Sequence, residues 1–426
     1  MRMKIFVGFA GGFLWFLLGL NAWAGEDLKG GDLLDVLKQN KTITSEQYES
    51  LKKNREGAKQ GKLKKGLKFT SQDGDFQYKI GGRLMFDAAY YDNKGRELGS
   101  GTKIRRARMF IAGTLYRDWK FVGEYDFANN GVSVKSAFIA YSGFETVYIQ
   151  LGNFKEPFSL EELTSSRYTT FMERALPNVF APGRNLGIGI ITHGDNWTFG
   201  AGAFGEGVGD TRTNDEGYGF SSRFTFAPIH EKSKAVHIGV AGAFRTPTSE
   251  TNTISYGSSP ESSVTTIDTV ATGDITLVEN FTTLGMEGAV VLGPLSFQSE
   301  YIWLNVNREA SVSDPGFHGF YAYASYFLTG ENRVYSAKNG KFGRVKPKKN
   351  AGQGGIGAWE VALRYSNLDL NDAGITGGEE NNITVGINWY VNPRIRFMAN
   401  YINIDTDSNA GNENSNAFQM RGQLDF

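Results

Sequence analysis

Phe76-Gln-Tyr-Lys-Ile-Gly-Gly-Arg-Leu-Met-Phe-Asp-Ala-Ala-Tyr90 is the stretch that decides the fold. Positions 76, 78, 80, 84, 86, 88 and 90 are apolar or aromatic, with Gln77, Lys79, Arg83 and Asp87 between them. A period of two is the signature of a strand with one face in an apolar medium. The final residues repeat it: Phe418, Met420, Leu424 and Phe426 alternate with Gln419, Arg421, Gln423 and Asp425. Trp359-Glu-Val-Ala-Leu-Arg-Tyr-Ser366 and Ile383-Thr-Val-Gly-Ile-Asn-Trp-Tyr390 read the same way.

The same pattern predicts sixteen strands, near 76–91, 102–116, 119–127, 132–141, 145–154, 185–193, 196–206, 218–226, 235–245, 281–292, 295–307, 317–328, 358–368, 383–391, 395–404 and 416–426. Arg117-Asp118, Gly194-Asp195, Gly293-Pro294 and Asn392-Pro393 read as tight turns. The links between those hairpins are mostly longer: 92–101, 155–184, 207–217, 246–280 and 405–415. Short turns on one side and long loops on the other are the organisation of an outer-membrane barrel. The segment 329–357 departs from it, being long yet on the short-turn side.

A soluble sandwich also alternates, but it exposes a face rich in Lys and Glu. Here one face is aliphatic and aromatic on nearly every strand, and the other mixes Gly, Ser, Thr, Asn and scattered charge. Only a closed sheet pairs all its backbone groups in lipid. Aromatics near strand ends (Tyr90, Tyr91, Trp119, Phe127, Trp197, Phe226, Trp303, Trp359, Tyr365, Trp389, Phe426) suit interfacial girdles. The expectation is an all-β protein: a 16-stranded antiparallel transmembrane β-barrel over 71–426, after a short N-terminal helical segment.

Composition agrees. Among 426 residues are 54 Gly and 10 Pro, with 13% aromatics, which favours strands and turns. Lys+Arg and Asp+Glu balance at 45 each, so no whole-chain field points to nucleic acid. Zero cysteines remove thiolate chemistry and disulfides. The four His (His193, His230, His237, His318) are scattered, so neither a metal centre nor any cofactor is expected.

Residues 1–24 read as a signal peptide: Arg2 and Lys4, an apolar stretch from Ile5 to Leu20, then Ala22-Trp23-Ala24 as cleavage site. Residues 25–70 read as a helical and linker segment on the periplasmic side. Leu28, Leu33, Leu34, Val36 and Leu37 recur at helical spacing, and Thr44-Ser-Glu-Gln47 is a capping box opening a second helix with Tyr48 and Leu51 on one face.

A sixteen-strand barrel leaves room for water, so its inward residues form a lining. Lys79, Arg83, Arg106, Arg108, Lys120, Lys135, Arg223, Arg245, Arg364, Arg396 and Arg421 face Asp87, Glu124, Asp126, Glu287, Glu300, Glu360 and Asp425. An inward excess of about four positive charges favours anions. Some of these charges will pair across strands instead.

Lys103-Ile-Arg-Arg-Ala-Arg-Met109, Gly152-Asn-Phe-Lys-Glu-Pro-Phe-Ser-Leu-Glu-Glu-Leu-Thr-Ser-Ser166, Phe171-Met-Glu-Arg-Ala-Leu-Pro177 and Ala181-Pro-Gly-Arg-Asn185 together resemble the phosphate-selective porin O and P family. So do Phe342-Gly-Arg-Val-Lys-Pro347, Trp359–Ser366 and Asn388-Trp-Tyr-Val-Asn-Pro393. The resemblance implies a homotrimeric channel in the outer membrane of a Gram-negative bacterium, with periplasmic termini and outer-membrane lipid around it. It also implies that loop 155–184 folds inward and narrows the channel, and that 329–357 can enter the lumen with its basic cluster Lys341, Arg344, Lys346, Lys348 and Lys349. Anion binding would fall to Arg83, Arg105 and Arg106, with the hydroxyls of Thr164, Ser165 and Ser166. The loop lysine of the family pattern aligns with Glu162, beside Glu161, and a carboxylate there would repel phosphate. Lys155, Arg167 and Arg174 are candidates to compensate. If Glu162 blocks a phosphate site, Glu162→Lys should increase phosphate inhibition of chloride current. Arg105 has the wrong parity to face inward beside Arg106 unless a bulge intervenes.

Other signals carry less. Gly205-Glu-Gly-Val-Gly209 has no following helix, and Asp405-Thr-Asp-Ser-Asn409 lacks the glycine and glutamate of a calcium loop. No Ser–His motif suggests an enzyme. The expected function is a passive, anion-preferring porin, small inorganic anions such as phosphate or polyphosphate being its cargo. The alternative is a structural or adhesive barrel with a plugged lumen.

Overall fold

Each strand of the barrel pairs with its neighbour in sequence, and the last pairs with the first. In the computed structural model, residues 33–59, 67–128, 130–208, 215–249, 251–309, 312–408 and 411–426 are described. The expected signal peptide, residues 1–24, lies outside them. The chain divides into two units, Met1–Lys62 and Leu63–Phe426.

In the first unit, helix α1 is Leu33–Gln39 and helix α2 is Ser45–Lys59. The capping box forms at α2: Gln47 N–H donates to Thr44 Oγ1 (3.1 Å) and Thr44 N–H donates to Gln47 Oε1 (2.9 Å). Tyr48 ties the helices together, its hydroxyl donating to Asp35 while Lys38 Nζ sits 4.2 Å from its ring centroid.

The barrel strands are β1 Gln77–Asp92, β2 Gly101–Leu115, β3 Trp119–Asp126, β4 Ser133–Tyr141, β5 Val147–Lys155, β6 Arg184–His193, β7 Trp197–Phe204, β8 Gly219–His230, β9 Lys234–Arg245, β10 Val278–Leu292, β11 Leu295–Arg308, β12 Gly316–Phe327, β13 Ala358–Asp372, β14 Ile375–Asn392, β15 Ile395–Ser408 and β16 Gly411–Asp425. Closure runs from Arg83 opposite Asp425 to Asp92 opposite Asn416. These ladders are antiparallel, and each of the sixteen strands is paired on both sides, as a sheet in lipid requires. Among the described residues no helix is long and apolar enough to cross a membrane; strands do the crossing.

Alternation places apolar side chains outside. On β11, Phe297, Tyr301 and Trp303 are more than 40% exposed, while Ser296, Gln298 and Glu300 between them are buried. Trp359, Trp389 and Phe397 stack along the outer face of β13–β15, with centroids 5.5 and 5.7 Å apart. Tyr91 departs from the expected girdle. Because Tyr90 faces out, its neighbour must face in, and Tyr91 is 4% exposed.

The ladder between β1 and β2 slips once: Met85 faces Arg106 but Phe86 faces Ile104, leaving Arg105 as the extra residue. This is the bulge that lets Arg105 and Arg106 point to one side.

Two expected links are mostly strand. The connection 405–415 shrinks because β15 continues to Ser408 and β16 begins at Gly411, and β14 likewise begins at Ile375. Side-chain amides stitch this extension, Asn403 Nδ2 donating to Asn414 (3.0 Å) and Asn416 (3.1 Å). Apolar alternation ends with the hydrocarbon, whereas the hydrogen-bonded sheet does not. The wall is therefore uneven: β3–β7 have 8 to 10 residues and β13–β16 have 14 to 18.

The largest apolar core lies inside the barrel. Ile302, Leu304 and Val306 of β11, Phe317 of β12, and Leu368 and Leu370 of β13 pack against Phe158, Leu176, Phe180, Val270 and Ile275 from the loops after β5 and β9. Burying that face is what holds the loops inward.

Candidate functional site

The loop 156–183 crosses from β5 to the opposite wall. At its start a short turn of helix, Leu160–Leu163, is capped by Ser159 and by Glu300 of β11, which accepts from the N–H groups of Leu160 (3.0 Å) and Glu161 (2.7 Å). Further on, Asn388 and Arg396 donate to the carbonyls of Thr170 and Thr169 (2.9 and 2.8 Å). Arg421 donates to the Met172 carbonyl (2.5 Å), and Leu176 N–H donates to Ser366 Oγ (3.0 Å). Each anchor satisfies a backbone group that the loop's irregular course would leave bare.

Glu162 is enclosed, with a side chain 9% exposed. Lys155 Nζ lies 2.8 Å from Oε1 and Arg174 Nη1 lies 3.1 Å from Oε2. Burial works to raise its pKa, but Arg174 and Lys155 outweigh that and hold it down to about 2. Arg174 also donates to the carbonyls of Glu161 (2.9 Å) and Glu162 (3.1 Å). Glu162 is thus a tie within the loop, and its charge is cancelled where it sits.

The expected hydroxyl and arginine cluster assembles in part. Arg83 donates to Ser166 Oγ (2.9 Å) and Ser165 Oγ (3.4 Å) and pairs with Glu124. Arg167 Nε donates to Ser165 Oγ (3.3 Å). The Thr164 hydroxyl is buried without a hydrogen-bond partner. Arg105 grips Glu173 with two bonds (2.8 and 2.9 Å), and Arg108 Nε lies 2.7 Å from Asp126. Arg106 is the least satisfied of them: Nη1 reaches Met85 Sδ at 3.5 Å and Glu173 at 3.8 Å, and Nε has no partner.

Three other expected lining residues stand apart from this cluster. Arg223 pairs with Glu287 (2.5 Å) and donates to the Gly340 carbonyl (2.7 Å). Arg396 donates to Thr169 O and to Gln423 (3.0 Å). Arg364, 1% exposed, pairs with Glu261, donates to the Glu173 carbonyl (3.1 Å) and lies 4.3 Å from the Phe171 ring centroid.

Among the described residues, Arg333 and Arg396 have no carboxylate partner but are held by Gln298, Gln423 and the Thr169 carbonyl, and Lys79, Lys135, Arg167 and Arg184 have no carboxylate partner either. Lys79, Lys135, Arg167 and Arg184 belong to β1–β6 or the inner loop. Arg184 donates only to Ser136 Oγ (3.2 Å), and Arg167 lies over Phe110 and Tyr168.

Two further segments line the interior. From the short-turn side, 328–357 reaches Thr198, which donates to the Ala337 carbonyl (2.6 Å), and Arg223 at Gly340. Its Arg333 donates to Gln298 (2.9 Å), and its Arg344 pairs with Asp425 and donates to Tyr168 Oη (3.2 Å) of the inner loop. From the opposite side, 246–277 spans to distant strands. Tyr91 Oη lies 2.5 Å from Ser262 Oγ, Ser263 Oγ donates to Asp87 (3.2 Å), and Thr269 donates to Glu380.

Glu173, Glu261 and Arg344 are the residues that sequence reasoning did not single out as anchors. Glu173 lies in a quoted motif beside Arg174, but the arginines it meets, Arg105, Arg106 and Arg421, come from distant strands. Nothing local marks Glu261 as an anchor: its N–H turns back to the Ser259 carbonyl (2.7 Å), while its carboxylate and carbonyl find partners 85 to 158 positions away.

Comparison with known proteins completes this picture. Residues 78–426 match the family described as phosphate-selective porin O and P. The chain is 30% identical over 413 residues to Porin O of Pseudomonas aeruginosa, covering 86% of this chain and 92% of that protein. Among solved structures, an anion-selective porin from Comamonas acidovorans aligns with TM-score 0.53 at 14% identity, over 82% of this chain and 100% of that one. The outer membrane channel DcaP of Acinetobacter baumannii aligns at 0.52 and 11% identity, over 84% and 99%. At such identities these two likenesses speak for the barrel alone. On the match across the whole barrel and the 30% identical relative, the chain belongs to the phosphate-selective porin O and P family of outer-membrane porins.

Proposed function

We propose that the protein is a passive, anion-preferring diffusion channel for small inorganic anions, phosphate-like oxyanions among them. The observation that carries this reading is the set of cations on β1–β6 and the inner loop without carboxylate partners, Lys79, Lys135, Arg167 and Arg184, together with the under-satisfied Arg106. A low-dielectric wall lined by one sign of charge raises the local concentration of the opposite ion. Guanidinium donors suit oxyanions, and the Ser165 and Ser166 hydroxyls replace part of a lost hydration shell. Multiple weak sites let the ion leave as easily as it enters, and its gradient supplies the direction.

Glu162 does not count against this reading, because Lys155 and Arg174 neutralise it. The loop 156–183 serves as the constriction, Arg83, Arg105, Arg106 and Arg108 as its arginine wall, and Arg223, Arg364 and Arg396 as supports for the segments that narrow the lumen. The working form is a homotrimer in the outer membrane, with both termini periplasmic and residues 1–24 removed on export. Reversal potential across a planar bilayer under a KCl gradient is the test. An anion-selective sign is expected; a cation-selective sign, or no conductance at all, would sink the reading.

A further inference from the structure

Three non-glycine residues of the loop between β9 and β10 stand at positive φ: Asn252 and Leu277, which are exposed, and Glu261, which is buried. Glu261 stands at φ 52°, a left-handed conformation that disfavours a side chain of its size. It is nevertheless 4% exposed, far from either end of its loop. Its carboxylate accepts from the Leu176 N–H (3.2 Å) and the Thr384 hydroxyl (3.1 Å) and pairs with Arg364. Its carbonyl accepts from Gln419 Nε2 (3.0 Å). One residue therefore joins the inner loop at Leu176 to β13, β14 and β16.

Arg364 receives the charge from the wall side and is shared with the inner loop, through the Glu173 carbonyl, the Phe171 ring and Glu161 at 3.8 Å. Leu176 opens the 3-10 turn Leu176–Phe180, and Leu176 and Phe180 pack into the interior core with Val270 and Ile275 of the β9–β10 loop. A residue held in an unfavourable backbone conformation persists only where its surroundings over-determine it, and such positions cluster at working sites.

We infer that Glu261 is the positioning residue that locks the β9–β10 loop onto the second half of the 156–183 loop and so sets the width of the channel. This rests on the reading of 156–183 as the constriction. The Glu261 carboxylate need not meet the permeating ion; it acts through Leu176 and Arg364. Removing it leaves the Leu176 amide with Ser366 Oγ alone and Arg364 with only its inner-loop partners, so the β9–β10 loop loses its hold on both, while the β-ladders of the wall keep all their backbone bonds.

Two substitutions test this in the full-length refolded porin. Glu261→Gly deletes the carboxylate while suiting the φ of 52°, so the barrel should still close. Glu261→Gln keeps the shape and the acceptor for Leu176 but loses the charge. Single-channel recording of Glu261→Gly should show conductance higher by roughly twofold and noisier open levels, since a loop released from its anchors samples more states. Glu261→Gln should fall between it and the parent, and both should keep the sign of the reversal potential. Heat-modifiable migration on gels confirms a closed barrel for each. Parental conductance and noise in a closed Glu261→Gly barrel overturns the inference, as does failure of Glu261→Gln to restore part of the parental behaviour. A cation-selective reversal potential in the parent would sink the anion-channel reading and leave the conductance comparison standing.

Discussion

The wall of β1–β6 and the wall of β10–β14 face each other across one lumen and are built on different principles. The first is partly low, with strands of 8 to 10 residues in β3–β6, and its inward cations include several without a carboxylate. The second is tall and acidic, carrying Glu287, Glu300, Glu360 and Glu380, and part of its inner face is an apolar core against two loops. Charges that tie loops in place are paired and sealed, and the charges available to a solute are those the loops do not use. A count of inward arginines therefore overstates what an ion would meet.

The sharpest break of this contrast is on the tall wall. Arg364→Met leaves Glu261 buried without its counter-charge, and unfolding of the refolded barrel in urea should show a loss of about 3–5 kcal/mol. Little change would mean that the pair is not a keystone. Glu162→Lys should act next most strongly. It would place a third cation beside Lys155 and Arg174, so a loosened loop with noisier current is expected instead of stronger phosphate inhibition of chloride current. An increase in phosphate inhibition would restore the view of Glu162 as a blocked phosphate site.

On the low wall the effect should appear in selectivity. The double change Lys135→Glu and Arg184→Glu should lower the anion-to-cation permeability ratio by about threefold or more with the fold intact. An unchanged ratio would deny those cations a role. pH sharpens the same division. The pKa of Glu162 is depressed to about 2 in the folded loop, so its tie is fully present above the ordinary carboxylate value and is lost as pH falls toward 2. Conductance traces should show no loop loosening from pH 7 to about 5, and noise should grow only in stronger acid. The smallest effect belongs to the amide ladder above the hydrocarbon: Asn403→Ala should cost about 0.5 kcal/mol, read by urea unfolding.

Much of this was legible in the residues. Period-two alternation located all sixteen strands, because a lipid-facing stripe leaves no freedom in which side chains point out. It failed where lipid ends: the 405–415 extension looked like a loop because its outward residues, Asp405 and Asp407, are polar. Tyr91 misled for a related reason, since aromatic character suggested a girdle while parity put it inside. The capping box at Thr44 was readable because its partners are three residues apart. Of the site, the motifs that supplied Arg83, Ser165 and Ser166 as candidates meet in space, and Arg105 and Arg106 share one side only through a bulge. The burial of Glu162 and the reach of Glu261 were not readable, since their partners come from other strands and loops.

Local alternation, turn chemistry and the absence of cysteine were enough to specify a closed membrane barrel with a charged interior, because lipid imposes one rule on every residue of every strand. Which charges stay free was decided only by tertiary structure. Ion pairing depends on where long loops land inside the cylinder, and that follows from apolar packing between segments far apart in the chain.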